Sequence, residues 1–446
     1  MTISDDTIVA VATPPGTGGV GVVRMSGADV ERIARAMLGS LPEPRVATYA
    51  TFADARGEAV DAGLALYFPA PASFTGESVV ELHGHGGPVV LSLLVAAAVE
   101  LGARRAEPGE FTKRAFLNDK LDLAQAEAIA DLIESGTAQA ARAALRSLSG
   151  VFSAAVNDLA QQLTAIRVYV EAAIDFPEEE IDFLGDRELG ERLSRCAAAF
   201  DSLLSQAAVG RVMRAGYQVV IVGKPNAGKS SLMNRLSGEE TAIVTELAGT
   251  TRDVLRERIN IDGLAVELVD TAGLRDNPDR IEQEGSRRAR KAMAEADAVL
   301  WIQDATEAVP GRIEEPVPDG IPVTIVRNKI DLSDEEPGIV HGEQPVVMLS
   351  ARTGEGLDAL RARIRDLAGF RDLGEGAFTA RRRHLEALRD ARGHFEAGRA
   401  ALRDERAGEL LAEELRLSQQ ALGTITGEFT ADDLLGRIFS EFCIGK

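Results

Sequence analysis

Glycine, lysine and serine stand at one spacing that can hold a polyphosphate. The stretch Gly223-Lys224-Pro225-Asn226-Ala227-Gly228-Lys229-Ser230-Ser231 follows the apolar run Tyr217 to Val222 and precedes Leu232-Met233-Asn234-Arg235-Leu236, which has helical spacing. Strand, glycine-bounded loop and helix are the context that the pattern G-x-x-x-x-G-K-[ST] needs. Gly223 and Gly228 let the backbone wrap a phosphate, so that consecutive N–H groups and the positive helix end face it. Lys229 adds a mobile positive charge, and the Ser230 hydroxyl can join a Mg²⁺ shell.

Further signals follow in the order a GTPase requires. Gly249-Thr250-Thr251-Arg252-Asp253 reads as a switch-type loop, whose Thr251 can ligate Mg²⁺ only when a γ-phosphate is present, and the GTP contacts are expected to extend back over Thr245, Glu246, Leu247 and Ala248. Asp270-Thr271-Ala272-Gly273 ends a strand; Asp270 supports the Mg²⁺ shell and the Gly273 N–H can sense the γ-phosphate. Asn328-Lys329-Ile330-Asp331 also ends a strand. The Asp331 carboxylate can accept from N1–H and the exocyclic amine of guanine, a donor pair adenine lacks. Ser350-Ala351 closes the base pocket. Such polar pairing discriminates strongly and sets the specificity as GTP.

Two positions depart from the Ras-like arrangement. Leu274 stands where a glutamine would orient water, and an apolar side chain cannot do that. Glu282, just downstream, is the candidate for that task; its plainer reading is an exposed glutamate at a helix start. No arginine finger is evident. The Asn226 side-chain oxygen, with oxygens from Thr245 to Thr250, can hold a monovalent cation that does an arginine's electrostatic work.

Other candidates are weaker. His83 and His85 are two residues apart with no third ligand nearby, so Leu82-His83-Gly84-His85-Gly86-Gly87-Pro88 reads as a glycine turn with incidental histidines rather than a metal site. The acidic turn Phe176-Pro177-Glu178-Glu179-Glu180-Ile181-Asp182 reads as solvated, helix-initiating carboxylates in preference to a cation site. Cys196 and Cys443 form no disulfide framework or zinc pattern.

These groups need elements to carry them. A chain of 446 residues is expected to hold about two to four domains. Aromatics are only 4%, so the cores are Ala/Leu/Val-rich and largely helical. A net charge of −21 excludes a uniformly basic nucleic-acid coat, and RNA contact must use local basic patches or a partner. No run reaches membrane-span length and the first residues lack signal-peptide character, so a cytoplasmic location is expected, without membrane contact.

Residues 1–118 look α+β, with strands near Thr7–Ala12, Val20–Met25, Leu64–Phe68 and Ser78–Leu82, a loop at Thr13–Gly19 and a helix over Val89–Leu101. Residues 119–215 read as helical. Residues 216–373 alternate strand and helix, the signature of a doubly wound, mostly parallel sheet. Residues 374–446 return to helix, ending in Thr430–Phe442. The economical reading is a helical domain interrupted by an inserted nucleotide-binding domain.

On these motifs the chain resembles the MnmE/TrmE family of tRNA-modifying GTPases. The resemblance spans essentially the whole length. It is carried by Gly18-Gly19-Val20-Gly21, Glu81 to Pro88, Pro108-Gly109-Glu110-Phe111-Thr112, Lys120-Leu121-Asp122-Leu123, Ile174 to Glu179, the GTPase motifs and the terminal Phe442-Cys443-Ile444-Gly445-Lys446. It implies a folate-binding α+β N-terminal domain, a helical domain and an inserted Ras-like P-loop domain. It implies a homodimer formed through the N-terminal domains, and a 5-formyl-tetrahydrofolate site at Arg24, Glu81, Lys120 and Lys446. The family's potassium ligands map onto Asn226, Thr245, the Leu247 backbone and Thr250, its Mg²⁺ ligands onto Ser230 and Thr251, and its hydrolytic glutamate onto Glu282.

The resemblance further implies K⁺-dependent activation by pairing of GTPase domains. It implies work with the flavoprotein MnmG (GidA), through which FAD and NADH enter, in a heterotetramer or larger complex. The product would be an aminomethyl or carboxymethylaminomethyl group on C5 of tRNA wobble uridine, with glycine and ammonium both open as the amine. Cys443 is either a nucleophile or a small buried apolar residue. The competing reading is a ribosome-assembly switch of the Era/Der kind. The N-terminal domain, the terminal tail and the acidic charge speak against it.

Overall fold

The computed structural model describes residues 6–175, 187–239, 255–270, 292–307, 317–342, 344–370, 377–405, 407–428, 432–440 and 442–445. The chain divides into two compact units, one of residues 1–130 with 419–446 and one of residues 131–418.

The first unit is built on a six-stranded sheet. Its strands are β1 (Ile8–Val11), β2 (Gly18–Ser26), β3 (Thr48–Ala53), β4 (Ala59–Phe68), β5 (Val79–Gly86) and β6 (Arg104–Arg105), in the order β3-β4-β5-β2-β1-β6. Only β1 and β6 pair in parallel. Helices Val30–Leu38 and Pro88–Glu100 supply Ile33, Met37, Leu94 and Val95 to a core with Val23, Met25, Phe52 and Leu82. Alternation decides the faces: Val80, Leu82 and Gly84 of β5 are buried, while Glu81 and His83 between them are half-buried.

Two readings of this region need correction. The His83–Gly86 stretch is not a turn but the end of β5, in the middle of the sheet. Gly84 is required there because a Cβ would collide with the Asp61 carboxylate of the neighbouring β4. The Thr13–Gly19 loop is shorter than its composition suggests, since β2 already begins at Gly18. Strand β3 had no place in the sequence reading.

The second unit holds helices Ala138–Leu148, Val151–Asp175, Arg187–Ala215 and Arg382–Glu405, with a seven-stranded sheet between the last two in sequence. The sheet comprises β7 (Tyr217–Gly223), β8 (Leu255–Ile261), β9 (Leu264–Asp270), β10 (Ala298–Asp304), β11 (Val323–Asn328), β12 (Gly338–Val340) and β13 (Val346–Leu349), ordered β12-β13-β11-β10-β7-β9-β8. Strands β13, β11, β10, β7 and β9 run parallel, and β12 and β8 are antiparallel edges. This is the doubly wound sheet expected, with β12 added. Ile221, Leu232, Leu236, Leu268, Leu300 and Leu349 fill one core.

The chain enters this sheet after Arg214 and leaves it before Arg381. One carboxylate holds both: Asp131 accepts from Arg214 Nε at 2.7 Å and Arg381 Nη2 at 2.8 Å. Ser147 Oγ accepts from Thr379 N at 2.9 Å, and Arg146 Nη1 donates to Ala377 O at 2.8 Å. The ends of the inserted segment are thereby tied together. No helix among the described residues is long and apolar enough to cross a membrane.

Candidate functional site

Register aligns the carboxyl ends of the parallel strands. Ile221 of β7 lies opposite Asp270 of β9, Gly223 opposite Ile302 of β10, and Asp304 opposite Asn328 of β11. Ligands of open parallel sheets bind at this edge. From β7 the chain turns through Lys224–Gly228 into the helix Lys229–Glu239. Asn226 and Gly228 take left-handed φ values of 64° and 94°. A side chain on Gly228 would collide with the Asn328 amide.

Asn328 joins three of the sequence motifs. It is 2% exposed; its Nδ2 donates to Ala227 O at 2.9 Å, and its Oδ1 accepts from Ala351 N at 2.9 Å. Lys229 is equally sequestered, donating from Nζ to Gly223 O at 2.8 Å and Lys224 O at 2.9 Å. Its charge is thus held over the loop that faces the helix N-terminus. Ser230 and Ser231 lie exposed in that helix's first turn.

The base side is equally defined. Lys329, with φ 70°, sends Nζ to Asp304 Oδ2 at 2.7 Å. Burial works to raise the Asp304 pKa, but hydrogen bonds from Lys329 and Thr306 outweigh it and hold the carboxyl at about 2. Asp331 accepts from Ser350 Oγ at 2.5 Å through Oδ1, while Arg352 Nη2 lies 2.7 Å from Oδ2. Asp304 and Arg352 were missed in the sequence. Asp304 had one usable signal, an Asp-x-Thr turn directly after an apolar strand.

Thr245, Glu246, Leu247, Ala248, Gly249, Thr250, Thr251, Thr271, Ala272, Gly273, Leu274, Glu282, the Phe176–Asp182 turn and Lys446 lie outside the described residues, as does the Asp270 side chain.

A second cluster lies in the first unit. Arg24 and Glu81 are cross-strand partners on β2 and β5, and Arg24 Nε donates to Glu81 Oε1 at 2.8 Å. The Arg24 guanidinium sits 5.8 Å from both the Phe74 and Phe111 ring centres. His83 Nε2 is 3.1 Å from Glu81 Oε2. Among the described residues no group of three metal-capable side chains forms. Lys120 Nζ donates to Pro71 O at 2.9 Å, on the connection that also carries Phe74. The tail is pinned to the same unit: Ile444 bridges Pro108, Cys443 O accepts from Gly109 N at 3.4 Å, and Cys443 is exposed. That exposure removes the reading of Cys443 as a buried apolar residue.

A phosphate loop at the carboxyl edge of a doubly wound sheet, stitched by Asn328 to a pocket that holds Asp331, defines a P-loop GTPase. Solved structures similar to this chain include a GTP-binding protein from Sulfolobus solfataricus in complex with GDP (20% identical, 47% of this chain and 67% of that one, TM-score 0.26). Another is the G domain of the T. maritima FeoB iron transporter (23%, 34% and 98%, TM-score 0.25). Superposition scores this low carry no argument of their own. The family comparison does: residues 7–120 match the GTP-binding protein TrmE N-terminus, and residues 123–443 match the MnmE helical domain. The chain belongs to the MnmE/TrmE family, GTP hydrolases of tRNA modification.

Proposed function

We propose that this chain, with the flavoprotein MnmG, installs an aminomethyl or carboxymethylaminomethyl group on C5 of the wobble uridine of certain tRNAs. The observation that carries this is the tail: Cys443 and Ile444 are tied to Pro108 and Gly109 in the unit that bears the Arg24–Glu81 pair. A pure assembly switch has no use for such a pairing.

Arg24, Glu81, Lys120 and Lys446 would hold a one-carbon folate. The exposed Phe74 ring beside Arg24 fits a flat heterocycle, and the ion pair fits its polar edge. When bound, the folate supplies the one-carbon unit. Cys443, exposed, is our candidate nucleophile. In the GTPase site, Ser230 and Thr251 would ligate Mg²⁺ with Asp270 in support, and Asn226, Thr245, the Leu247 backbone and Thr250 would ligate K⁺. The remaining contacts of Glu246, Ala248, Gly249, Thr271, Ala272 and Gly273 would line the phosphates. Glu282 would orient the water that cleaves GTP to GDP and phosphate. The assembly is a cytoplasmic homodimer joined by MnmG, and its domains are residues 1–118, 119–215 with 374–446, and 216–373.

Reconstitution tests this. The purified chain, FAD-loaded MnmG, NADH, an unmodified tRNA transcript, a one-carbon folate, an amine and GTP in K⁺ buffer should yield the modified uridine by mass spectrometry. GTP turnover without any modified nucleoside would favour the switch reading.

A further inference from the structure

A hollow of about 220 Å³ in the second unit has three arginines on its walls. Arg142 and Arg146 come from helix Ala138–Leu148, with Gln139 on the same stripe at i, i+3 and i+7. Arg365 comes from helix Leu357–Leu367, and Met213 and Phe370 add apolar lining. Asp262, at the tip of the β8–β9 hairpin, is the only acidic residue among the described lining residues. A local excess of positive charge in a chain of net charge −21 is a departure from the rest of the surface.

The cations are unequally employed. Arg146 is fixed by its bond to Ala377 O at 2.8 Å. Arg365 is fixed by Asp262 at 2.9 Å through Nη1, while its buried Nε–H has no hydrogen-bond partner among the described residues. Arg142 is exposed and makes no hydrogen bond or ion pair among the described residues. Two guanidinium groups are therefore held in place, and a third is available at the mouth. Forked guanidinium donors match the oxygens of an anion such as phosphate, and hold them with more geometric specificity than lysines would.

We propose that this hollow binds a backbone phosphate of RNA, an accessory docking point outside the GTPase pocket. RNA is favoured over a free nucleotide because the chain belongs to a family of tRNA modification, and among the described lining residues Gln139 is the one uncharged polar side chain that could read a base. The inference rests on the tRNA reading above.

The experiment is a salt titration of tRNA binding by the full chain, comparing wild type, Arg142→Gln and Arg142→Lys, with thermal midpoints as the folding control. Arg142→Gln should weaken binding roughly three- to fivefold, and should lower the slope of log affinity against log salt by about one. Arg142→Lys should keep the slope. An unchanged slope and affinity in Arg142→Gln, with wild type binding normally, overturns the site and leaves the tRNA reading standing. Inorganic phosphate protecting wild type thermally while Arg142→Gln binds tRNA normally would assign the hollow to small anions and overturn the RNA proposal. Failure of the wild type to bind tRNA at all removes both.

Discussion

Replacing Asp331 with asparagine should convert the base pocket from guanine to xanthine. The carboxylate lies in the 3-10 turn Ile330–Leu332 that follows β11, with Oδ1 receiving the Ser350 hydroxyl at 2.5 Å and Oδ2 beside Arg352 at 2.7 Å. Both oxygens can still accept from N1–H and the exocyclic amine of guanine, since each carries further lone-pair capacity. Hydrogen bonds to a charged acceptor are worth about 1.5–3 kcal/mol each. Asparagine keeps one acceptor and turns the other atom into a donor, which would face the guanine amine. Losing one charged bond and weakening its neighbour costs about 3–4 kcal/mol, or roughly 10²–10³ in affinity. The partner Arg352 is 75% exposed, so release of that ion pair adds little. Xanthine offers an oxygen where guanine has the amine, and the new donor matches it. Calorimetry with GDP and with xanthosine diphosphate reads both changes. GDP affinity within threefold of wild type, in a folded variant, would refute the assignment of Asp331 to the base.

Asn328→Ala should cost more than a surface change, because Ala227 O and Ala351 N each lose a buried partner; about 2–4 kcal/mol of stability and a marked loss of GDP binding are expected in denaturant titration and calorimetry. Asp131→Ala leaves Arg214 and Arg381 without their shared carboxylate, which is 4% exposed, and should lower stability by about 3–5 kcal/mol as measured by urea unfolding, with GDP affinity in the folded fraction retained. Replacing K⁺ by Na⁺ should collapse GTP turnover, and Glu282→Ala should do so in K⁺ while nucleotide still binds; steady-state phosphate release checks both, and wild-type rates in either would discard that part of the account.

Much of the GTPase edge was legible because its chemistry is local. Gly223, Gly228, Lys229 and Ser230 fall within one strand–turn–helix, and that geometry follows from glycine's backbone freedom and the adjacent apolar run. The doubly wound sheet followed from alternating apolar segments. What was not legible depends on neighbours far away in sequence. Gly84 and Gly86 look like punctuation, yet they lie in a central strand because Asp61 and β2 press against them. Arg352 carries no motif, and only the fold of the β13 turn brings it to Asp331. The pairing of Phe74 and Phe111 around Arg24 joins the β4–β5 connection to the helix Glu110–Leu117 and left no periodic trace. Residue types alone likewise could not decide that Cys443 is exposed, since its surroundings depend on the pairing of the neighbouring Ile444 with the distant Pro108.

The central claim is that this GTPase serves the chemistry of a tRNA base. Nucleoside analysis of bulk tRNA from cells lacking the chain tests it most directly. The account predicts loss of 5-carboxymethylaminomethyl- and 5-aminomethyl-type wobble uridines, restored by the wild-type chain and not by Lys229→Ala. Unchanged wobble uridines in the deletion would contradict it.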